Sequence, residues 1–259
     1  MSDNQEPGTV SQERAVWPAV TCLCPTYGRF ERLRDAVACF LAQDYAGEKH
    51  LLILNDAPVP VVLGAECVPV TVINAPARYA TLGHKRQALL EMAATPLVAH
   101  WDDDDLYLPW HLSSVVAVLQ SKATVAASPS VRARRTVRAN RTVRCAKPDA
   151  AWYGKGPRES WQLAGVRRSV FEGQMVFDRA RALELGGYPA LDSGQAAALL
   201  DAFRRAGELH TWNPPPHELS YIYRWADGLH HVSGAGRGSD HSKGDSDFGV
   251  GPLLAHTPL

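Results

Sequence analysis

The chain has 259 residues, of which 46% are hydrophobic and 21% are charged, with 27 basic and 27 acidic side chains. Such a chain can bury the core of an ordinary globular protein, and its formal charge of zero leaves no overall electrostatic bias toward nucleic acid. Residues 1–14 are polar, and no apolar run reaches the roughly 18 residues that a membrane-spanning helix needs. We therefore expect a soluble, cytoplasmic protein.

Strands and helices alternate through the first half of the chain. Apolar runs predict strands over residues 20–24, 50–54, 68–73 and 97–101, and helical spacing predicts helices over residues 30–43 and 82–94. Strands separated by helices indicate a mostly parallel sheet with helices on both faces. In such sheets the ligand binds outside the carboxyl ends of the strands.

Four consecutive aspartates, Asp102 to Asp105, directly follow the fourth predicted strand. Adjacent carboxylates raise one another's pKa values, so a fold that gathers them needs a compensating cation or solvent. A hard divalent ion with oxygen ligands would supply that charge, and the alternative is a solvated acidic loop. Pro25, Thr26 and Asp56 fall at the ends of the first and second strands. Three segments are therefore expected to meet at one crevice.

The second half of the chain is less regular. Residues 131–144 alternate β-branched residues with arginines and predict a twisted hairpin, whose basic face would either contact a phosphate-bearing ligand or lie in solvent. Strand-like pieces occupy residues 161–177, helices are predicted over residues 179–185 and 196–206, and a last strand over residues 218–225.

Five motifs in this order and spacing resemble glycosyltransferase family 2, which has the GT-A fold. They are residues 23–29 (LCPTYGR), 54–56 (LND), 101–105 (WDDDD), 184–188 (ELGGY) and 221–225 (YIYRW). The resemblance covers residues 18–233 and implies one α/β domain: a Rossmann-like, mostly parallel sheet flanked by helices, with a smaller mixed sheet on the acceptor side. Residues 18–110 would form the nucleotide-sugar-binding half and residues 111–233 the acceptor-side half, between flexible segments over residues 1–17 and 234–259.

The same resemblance implies roles for individual side chains. Asp56 would bond the nucleotide base, Asp102 would reach the ribose or a metal-bound water, and Asp104 with His231 would hold a Mn²⁺ or Mg²⁺ ion, His230 being the alternative to His231. The further donor-binding candidates are Pro25, Thr26, Tyr27, Arg29, Arg78, Lys85 and Asp103, with Arg86 beside them. For Arg78, Lys85 and Arg86 the alternative interpretation is an ordinary charge on a helix surface.

One position departs from the family pattern. Inverting members carry a Glu-Asp pair at the start of the helix after the Gly-Gly-Tyr segment, with the aspartate as general base. Gln195 and Ala196 stand there in this chain. Asp192 could serve as the base instead, unless it only caps the helix; Glu172 is a second candidate, and slow or absent transfer is the third explanation.

The resemblance thus implies metal-dependent transfer of a sugar from a nucleoside diphosphate sugar, with a UDP-sugar favoured, to a hydroxyl acceptor with inversion. The alternative is a nucleotide-sugar-binding protein that has lost the base. The resemblance does not decide between four acceptors: a saccharide, a small-molecule or lipid-linked hydroxyl, a protein and a modified nucleic-acid base. The arginines from Arg132 to Arg144 could contact nucleic acid, but the neutral overall charge does not favour it as the acceptor. Candidate acceptor-side residues are Arg135, Trp161 and Glu172, with Trp110, Trp152 and Trp212 as further aromatic groups for a cleft or an interface.

Overall fold

The computed structural model describes residues 16–63, 69–127, 142–155, 162–168 and 172–225. In chain order their strands and helices are β1 (Val20–Thr26), α1 (Phe30–Leu41), β2 (Lys49–Asn55), β3 (Val70–Asn74), α2 (Leu82–Met92), β4 (Leu97–His100), β5 (Leu106–Tyr107), α3 (His111–Ala127), β6 (Cys145–Pro148), β7 (Ala150–Lys155), β8 (Gln162–Arg168), β9 (Val176–Asp178), α4 (Arg179–Glu184), α5 (Gln195–Ala206), β10 (Leu209–Trp212) and β11 (Tyr221–Trp225). Short 3₁₀ turns cover Glu172–Gln174 and Pro216–Glu218.

A central sheet of seven strands forms from the described residues, in the order β10-β6-β9-β4-β1-β2-β3. Strands β1 to β4 are mutually parallel where they pair, β9 is antiparallel to both β4 and β6, and β10 is parallel to β6. Because two antiparallel steps separate β6 from β4, β6 and β10 run in the same direction as β4. The carboxyl ends of all strands except β9 therefore lie along one edge of this sheet.

A smaller sheet in the order β5-β11-β7-β8 lies next to that edge. Strand β11 is antiparallel to β5 and parallel to β7, which makes the sheet mixed. Strand β5 begins directly after the four aspartates. Its pairing with β11 therefore places the end of the described chain beside them. The predicted α/β architecture, with a mostly parallel central sheet and a smaller mixed sheet, is confirmed.

Two apolar layers cover the faces of the central sheet. Along β1, Cys22 and Cys24 pack into the layer with α1 and α3, whereas Leu23 between them packs into the layer with α2, α4 and α5. This alternation follows from the two-residue period of a strand. Burying a side chain such as Phe40 or Phe203 contributes about 2 to 3 kcal/mol, so the sheet is a well-anchored platform for groups at its edge.

The predicted elements of the first half are present, with bounds that differ by one or two residues. Helix α3 was not predicted, because its valines favour strands by intrinsic preference. The predicted hairpin over residues 131–144 lies outside the described residues up to position 141, and residues 142–144 belong to no strand. None of the described helices has the length and apolar character needed to cross a membrane.

Candidate active site

The four aspartates lie in the turn between β4 and β5, at the edge shared by the carboxyl ends of β1 and β2. Asp103, Asp104 and Asp105 are buried, and Asp102 is the half-buried member of the run. A solvated acidic loop, the alternative interpretation of the sequence, is therefore wrong. Buried carboxylates need partners, and the surrounding elements supply them.

Arg29 neutralises the middle of the run. It forms an ion pair with Asp103 and donates Nη1 to Asp104 Oδ2 at 2.6 Å. Thr26, at the end of β1, donates its hydroxyl to Asp103 Oδ2 at 2.6 Å. Burial raises the pKa of Asp103 to about 6, although the Arg29 charge opposes that rise. The last residue of β1 thus supplies a hydrogen bond and the turn that follows supplies the counter-charge, with Gly28 at a φ of 66° directly before the arginine.

Arg86, on α2, holds Asp102. Its Nη2 donates to Asp102 Oδ1 at 2.6 Å, and its Nη1 lies 3.1 Å from the ring nitrogens of His100. His100 is stacked on Tyr188, with ring centroids 5.5 Å apart, and is hydrogen-bonded to the Tyr188 hydroxyl. Burial, with the Arg86 charge, lowers the pKa of His100 well below its usual value, so this imidazole is neutral. Arg86 is buried, which rules out an ordinary helix-surface charge.

Strand β11 holds the far end of the run. The Tyr221 hydroxyl donates to Asp105 Oδ2 at 2.5 Å, and the Arg224 backbone N–H donates to Asp105 Oδ1 at 2.9 Å. Arg224 also donates Nε to the Asp104 carbonyl oxygen at 2.5 Å and Nη1 to Asp35 Oδ2 at 2.6 Å. Sequence reasoning gave Tyr221 and Arg224 no role, although the YIYRW motif contains both. They connect the aspartates to α1.

Asp56 lies one residue beyond β2 and is paired with Lys85 of α2. Its Oδ2 also accepts from the Tyr79 backbone N–H at 3.0 Å, and Lys85 donates to the Thr26 carbonyl oxygen at 2.5 Å. Lys85 is buried, and burial lowers its pKa despite Asp56. Like Arg86, it is not a helix-surface charge, and it ties the ends of β1 and β2 together.

Arg78 and Tyr27 form a surface pair next to Asp56. The Arg78 guanidinium lies 4.5 Å from the centre of the Tyr27 ring, which is a cation–π contact. Arg78 itself is exposed. Pro25 is buried within β1. The predicted donor-binding side chains are therefore gathered at one edge, some as buried supports and some facing solvent.

Asp102 and Asp104 offer the carboxylate oxygens that Mg²⁺ and Mn²⁺ prefer. In the part of the chain that the structure describes, no group of three or more His, Cys, Asp and Glu side chains is placed to hold a metal ion. Asp104 Oδ2 accepts from Arg29. The donor chemistry thus fits a hard ion that takes its other ligands from a diphosphate and water, and that ion would share Asp104 with Arg29.

The segment that replaces the family's Glu-Asp pair begins α5. The helix cap is Gly194, in the left-handed conformation with a φ of 74°, so Asp192 does not cap this helix and is exposed. Gln195 is buried, and its Oε1 has no hydrogen-bond partner among the described residues. Ala196 packs into the apolar layer beside Leu199.

Glu172 lies in the 3₁₀ turn that packs against the aspartates. Burial is the main cause that raises the pKa of its carboxyl group. The next residue, Gly173, is so close to the run that a Cβ there would lie 2.8 Å from Asp102 Oδ2 and 2.5 Å from the Tyr221 hydroxyl. The turn that carries Glu172 therefore packs against Asp102, and the Asp102 charge adds to the rise in the pKa of Glu172.

The remaining predicted residues divide into three groups. Trp152 is buried in the small apolar cluster of the second sheet, so it lines no cleft. Trp110 and Trp212 line a cavity at the ends of β6 and β10. Four candidates lie outside the described residues, namely Arg135, Trp161, His230 and His231. Of the arginine-rich segment, Arg144 is described and pairs with Asp178 at 2.6 Å.

Residues 21–173, more than half of the chain, match the model of glycosyl transferase family 2. The chain belongs to this family, and its two-sheet α/β arrangement is the GT-A fold. No protein in the comparison with curated sequences matches the chain.

Solved structures show the same fold at low sequence identity. TarS 1–349 from S. aureus in complex with UDP-GlcNAc is 12% identical with a TM-score of 0.56, over 82% of this chain and 60% of that one. The mannosyltransferase PcManGT from Pyrobaculum calidifontis, in complex with GDP-Man and Mn²⁺, is 17% identical with a TM-score of 0.52, over 88% of this chain and 62% of that one. A longer TarS structure is 13% identical with a TM-score of 0.57, over 80% of this chain and 37% of that one. The chain therefore spans less than two thirds of the length of these proteins.

Proposed function

We propose that this protein is a glycosyltransferase that moves a hexose-type sugar from a nucleoside diphosphate sugar to a hydroxyl acceptor, with inversion. The observation that carries the proposal is the convergence of Asp56, Asp102 and Asp104 at the carboxyl ends of β2 and β4 in a family 2 chain. Ligands of such sheets bind at this edge. A UDP-sugar is the favoured donor, which the UDP-GlcNAc complex of TarS supports by analogy of fold.

The donor would lie across the ends of β1 and β2. The exposed face of the Tyr27–Arg78 pair offers a flat surface for a base, and Asp56 offers acceptor oxygens for its N–H groups. Pro25, Thr26 and Lys85 shape the floor, because they connect these two strands. Asp102 and Asp103 would face the ribose and diphosphate side, where Arg29 supplies positive charge.

Asp104 and His231 are the proposed ligands of a Mn²⁺ or Mg²⁺ ion. When bound, the ion supplies a Lewis acid that stabilises the negative charge of the departing diphosphate. The chain's own residues hold Asp104 in place before any ion binds. Arg224 donates its Nε to the backbone carbonyl oxygen of Asp104 at 2.5 Å. Such prior placement is what makes electrostatic stabilisation effective.

The general base is proposed to be Asp192, the exposed carboxylate in the loop before α5. Glu172 is the second candidate, because the turn that carries it packs against Asp102 and because burial raises the pKa of its carboxyl group, which makes it a better proton acceptor than an ordinary glutamate. Either carboxylate would take the proton of the acceptor hydroxyl while the sugar bond to the diphosphate breaks.

A second function is favoured by one specific observation. Gln195 and Ala196 occupy the place of the family's Glu-Asp pair, and neither side chain accepts a proton at neutral pH. A protein that binds the nucleotide sugar without transferring it would show the same donor-side geometry.

One experiment separates these functions. Purified protein is incubated with a panel of nucleotide sugars, with and without Mn²⁺, and the release of nucleoside diphosphate is followed next to donor binding by calorimetry. Metal-dependent release that is lost in Asp104→Ala supports the transferase. Loss in Asp192→Asn but not in Glu172→Gln assigns the base to Asp192, and the reverse assigns it to Glu172. Binding of a donor without release, even with candidate acceptors present, supports the binding protein, and absence of donor binding would overturn both.

A further inference from the structure

A cavity of about 470 Å³ lies between the first half of α3 and the ends of β6 and β10. Ser114 and Val118 line it from one face of α3, since they are four residues apart, and Trp110 lines it from the position directly before the helix. Trp212 lines it from the end of β10. The volume is within the range of sites that bind small molecules.

The pairing register places this cavity on the same edge as the aspartates. One row of paired residues crosses four strands, from Ala99 through Val176 and Ala146 to His210. Two residues further along the chain from the ends of this row stand Trp101, just past the end of β4 and directly before Asp102, and Trp212, the last residue of β10. Three strand spacings of about 4.8 Å separate β4 from β10, so the two positions are roughly 14 Å apart at the same height.

A buried aromatic cluster separates the cavity from the aspartates. Its members include Tyr107, His111 and Tyr221, with the rings of Tyr107 and Tyr221 5.2 Å apart. Ser220 lines the cavity and bonds His111 Nδ1 at 3.0 Å, whereas the next residue, Tyr221, faces Asp105. The cavity is thus a site of its own, next to the active-site cleft and not part of it.

The lining indicates the chemistry of a ligand. Two indole rings and two prolines give apolar walls, and Ser114, His217 and Glu218 add a hydroxyl, an imidazole and a carboxylate. None of the described residues that line the cavity is Lys or Arg, so the site does not suit a phosphate or a nucleotide. A neutral pyranose ring has an apolar C–H face and a rim of hydroxyl groups, which matches indole faces with a few polar groups beside them.

We propose that this cavity binds a neutral sugar unit of a saccharide acceptor, away from the hydroxyl that reacts. The inference rests on the proposed function, because it names the acceptor of that reaction. A chain of several sugars that spans both places binds more tightly than a single sugar, since the second contact adds to the first. A short acceptor that reaches only the aspartate edge gains nothing from the cavity.

Fluorine NMR of protein labelled with 5-fluorotryptophan tests the site without any need for activity. The chain has 7 tryptophans, and the Trp110→Phe and Trp212→Phe variants assign the two cavity signals. Neutral hexasaccharides of glucose, N-acetylglucosamine and mannose are titrated separately at millimolar concentration, and UDP is titrated in a parallel sample. We expect at least one hexasaccharide to shift the Trp110 and Trp212 signals and UDP to leave them in place.

Trp212→Ala should weaken the binding of that hexasaccharide about tenfold or more, while UDP affinity stays unchanged. Trp17→Phe is the control, because Trp17 packs on Tyr45 ahead of β1, at the opposite edge of the sheet. Cavity signals that respond to none of the three hexasaccharides would overturn the inference. Because UDP binding is read separately, a chain that binds UDP but no hexasaccharide keeps the proposed function, and one that binds hexasaccharide but no nucleotide sugar keeps the cavity and loses the donor assignment.

Discussion

Arg29 and Asp104 form an ion pair across the candidate metal site, with Nη1 2.6 Å from Oδ2. The same guanidinium also pairs with Asp103, so one arginine neutralises two buried carboxylates. Since Asp104 is the proposed metal ligand, Arg29 and a divalent ion would both bind the Asp104 carboxylate. The two cations are therefore competitors at this carboxylate unless a diphosphate draws the arginine away.

Replacement of Arg29 by Gln should tighten the binding of Mn²⁺ to the nucleotide-free protein several-fold, because the competing cation is removed. Electron paramagnetic resonance of free Mn²⁺ measures this directly. Arg34→Gln is the matched control: Arg29 directly precedes α1 and Arg34 lies in its second turn, but the pair of Arg34 with Glu31 is at the surface, at 3.5 Å. Weaker Mn²⁺ binding in Arg29→Gln than in Arg34→Gln would show that the arginine supports the metal site instead of competing for it.

Replacement of Arg86 by Leu should lower the free energy of unfolding by about 3 kcal/mol, because it leaves Asp102 without its cation and His100 without its donor. Urea unfolding followed by circular dichroism measures the change. Arg204→Leu is the control, since its partner Asp201 is one helical turn away on an exposed face. Equal losses in the two variants would mean that the buried pair contributes no more than a surface pair.

The meeting of Asp56 and Asp102 at one edge of the sheet could be predicted from the sequence, because the signals for it are local. Apolar runs end at Asp56 and Asp102, and the shared edge of parallel strands then brings both together. The pairing of Arg29 with the aspartates was not predictable in this way, since 74 residues separate Arg29 from Asp103. No local pattern carries such a contact.

Short strands account for what the sequence analysis missed in the second half. Strand β6 has the sequence CAKP, in which lysine and proline favour a loop, yet it is buried between β9 and β10. Neighbouring strands, not intrinsic preference, decide its conformation. The same holds at the start of α5, where Gly194 in a left-handed conformation replaces the side-chain cap expected from Asp192.

The stability of the protein should depend on pH through Asp103. Its pKa is raised to about 6 by burial, so the folded state holds a proton that the unfolded state releases near its ordinary value of 3.8. The stabilisation is therefore complete below about pH 4 and is lost as the pH rises through about 6. Asp103→Asn should flatten this part of the curve, by at most about 3 kcal/mol over two units. Urea unfolding at intervals between about pH 4 and 7 provides the measurement, with Asp201→Asn, an exposed carboxylate, as control; equal slopes in the two variants would contradict the assignment.

Restoring the aspartate of the family's Glu-Asp pair at position 196 should destabilise the protein. Ala196 is 9% exposed and packs into the layer with Leu199 and Leu200. An aspartate there would place an unpaired carboxylate among apolar side chains, so Ala196→Asp should lower the free energy of unfolding by roughly 2 to 5 kcal/mol. Ala196→Ser, which adds a smaller uncharged group, should cost about 1 kcal/mol. Differential scanning calorimetry distinguishes the two. If Ala196→Asp were as stable as the parent protein, the start of α5 would be open to solvent, and the base could be reinstalled at its family position.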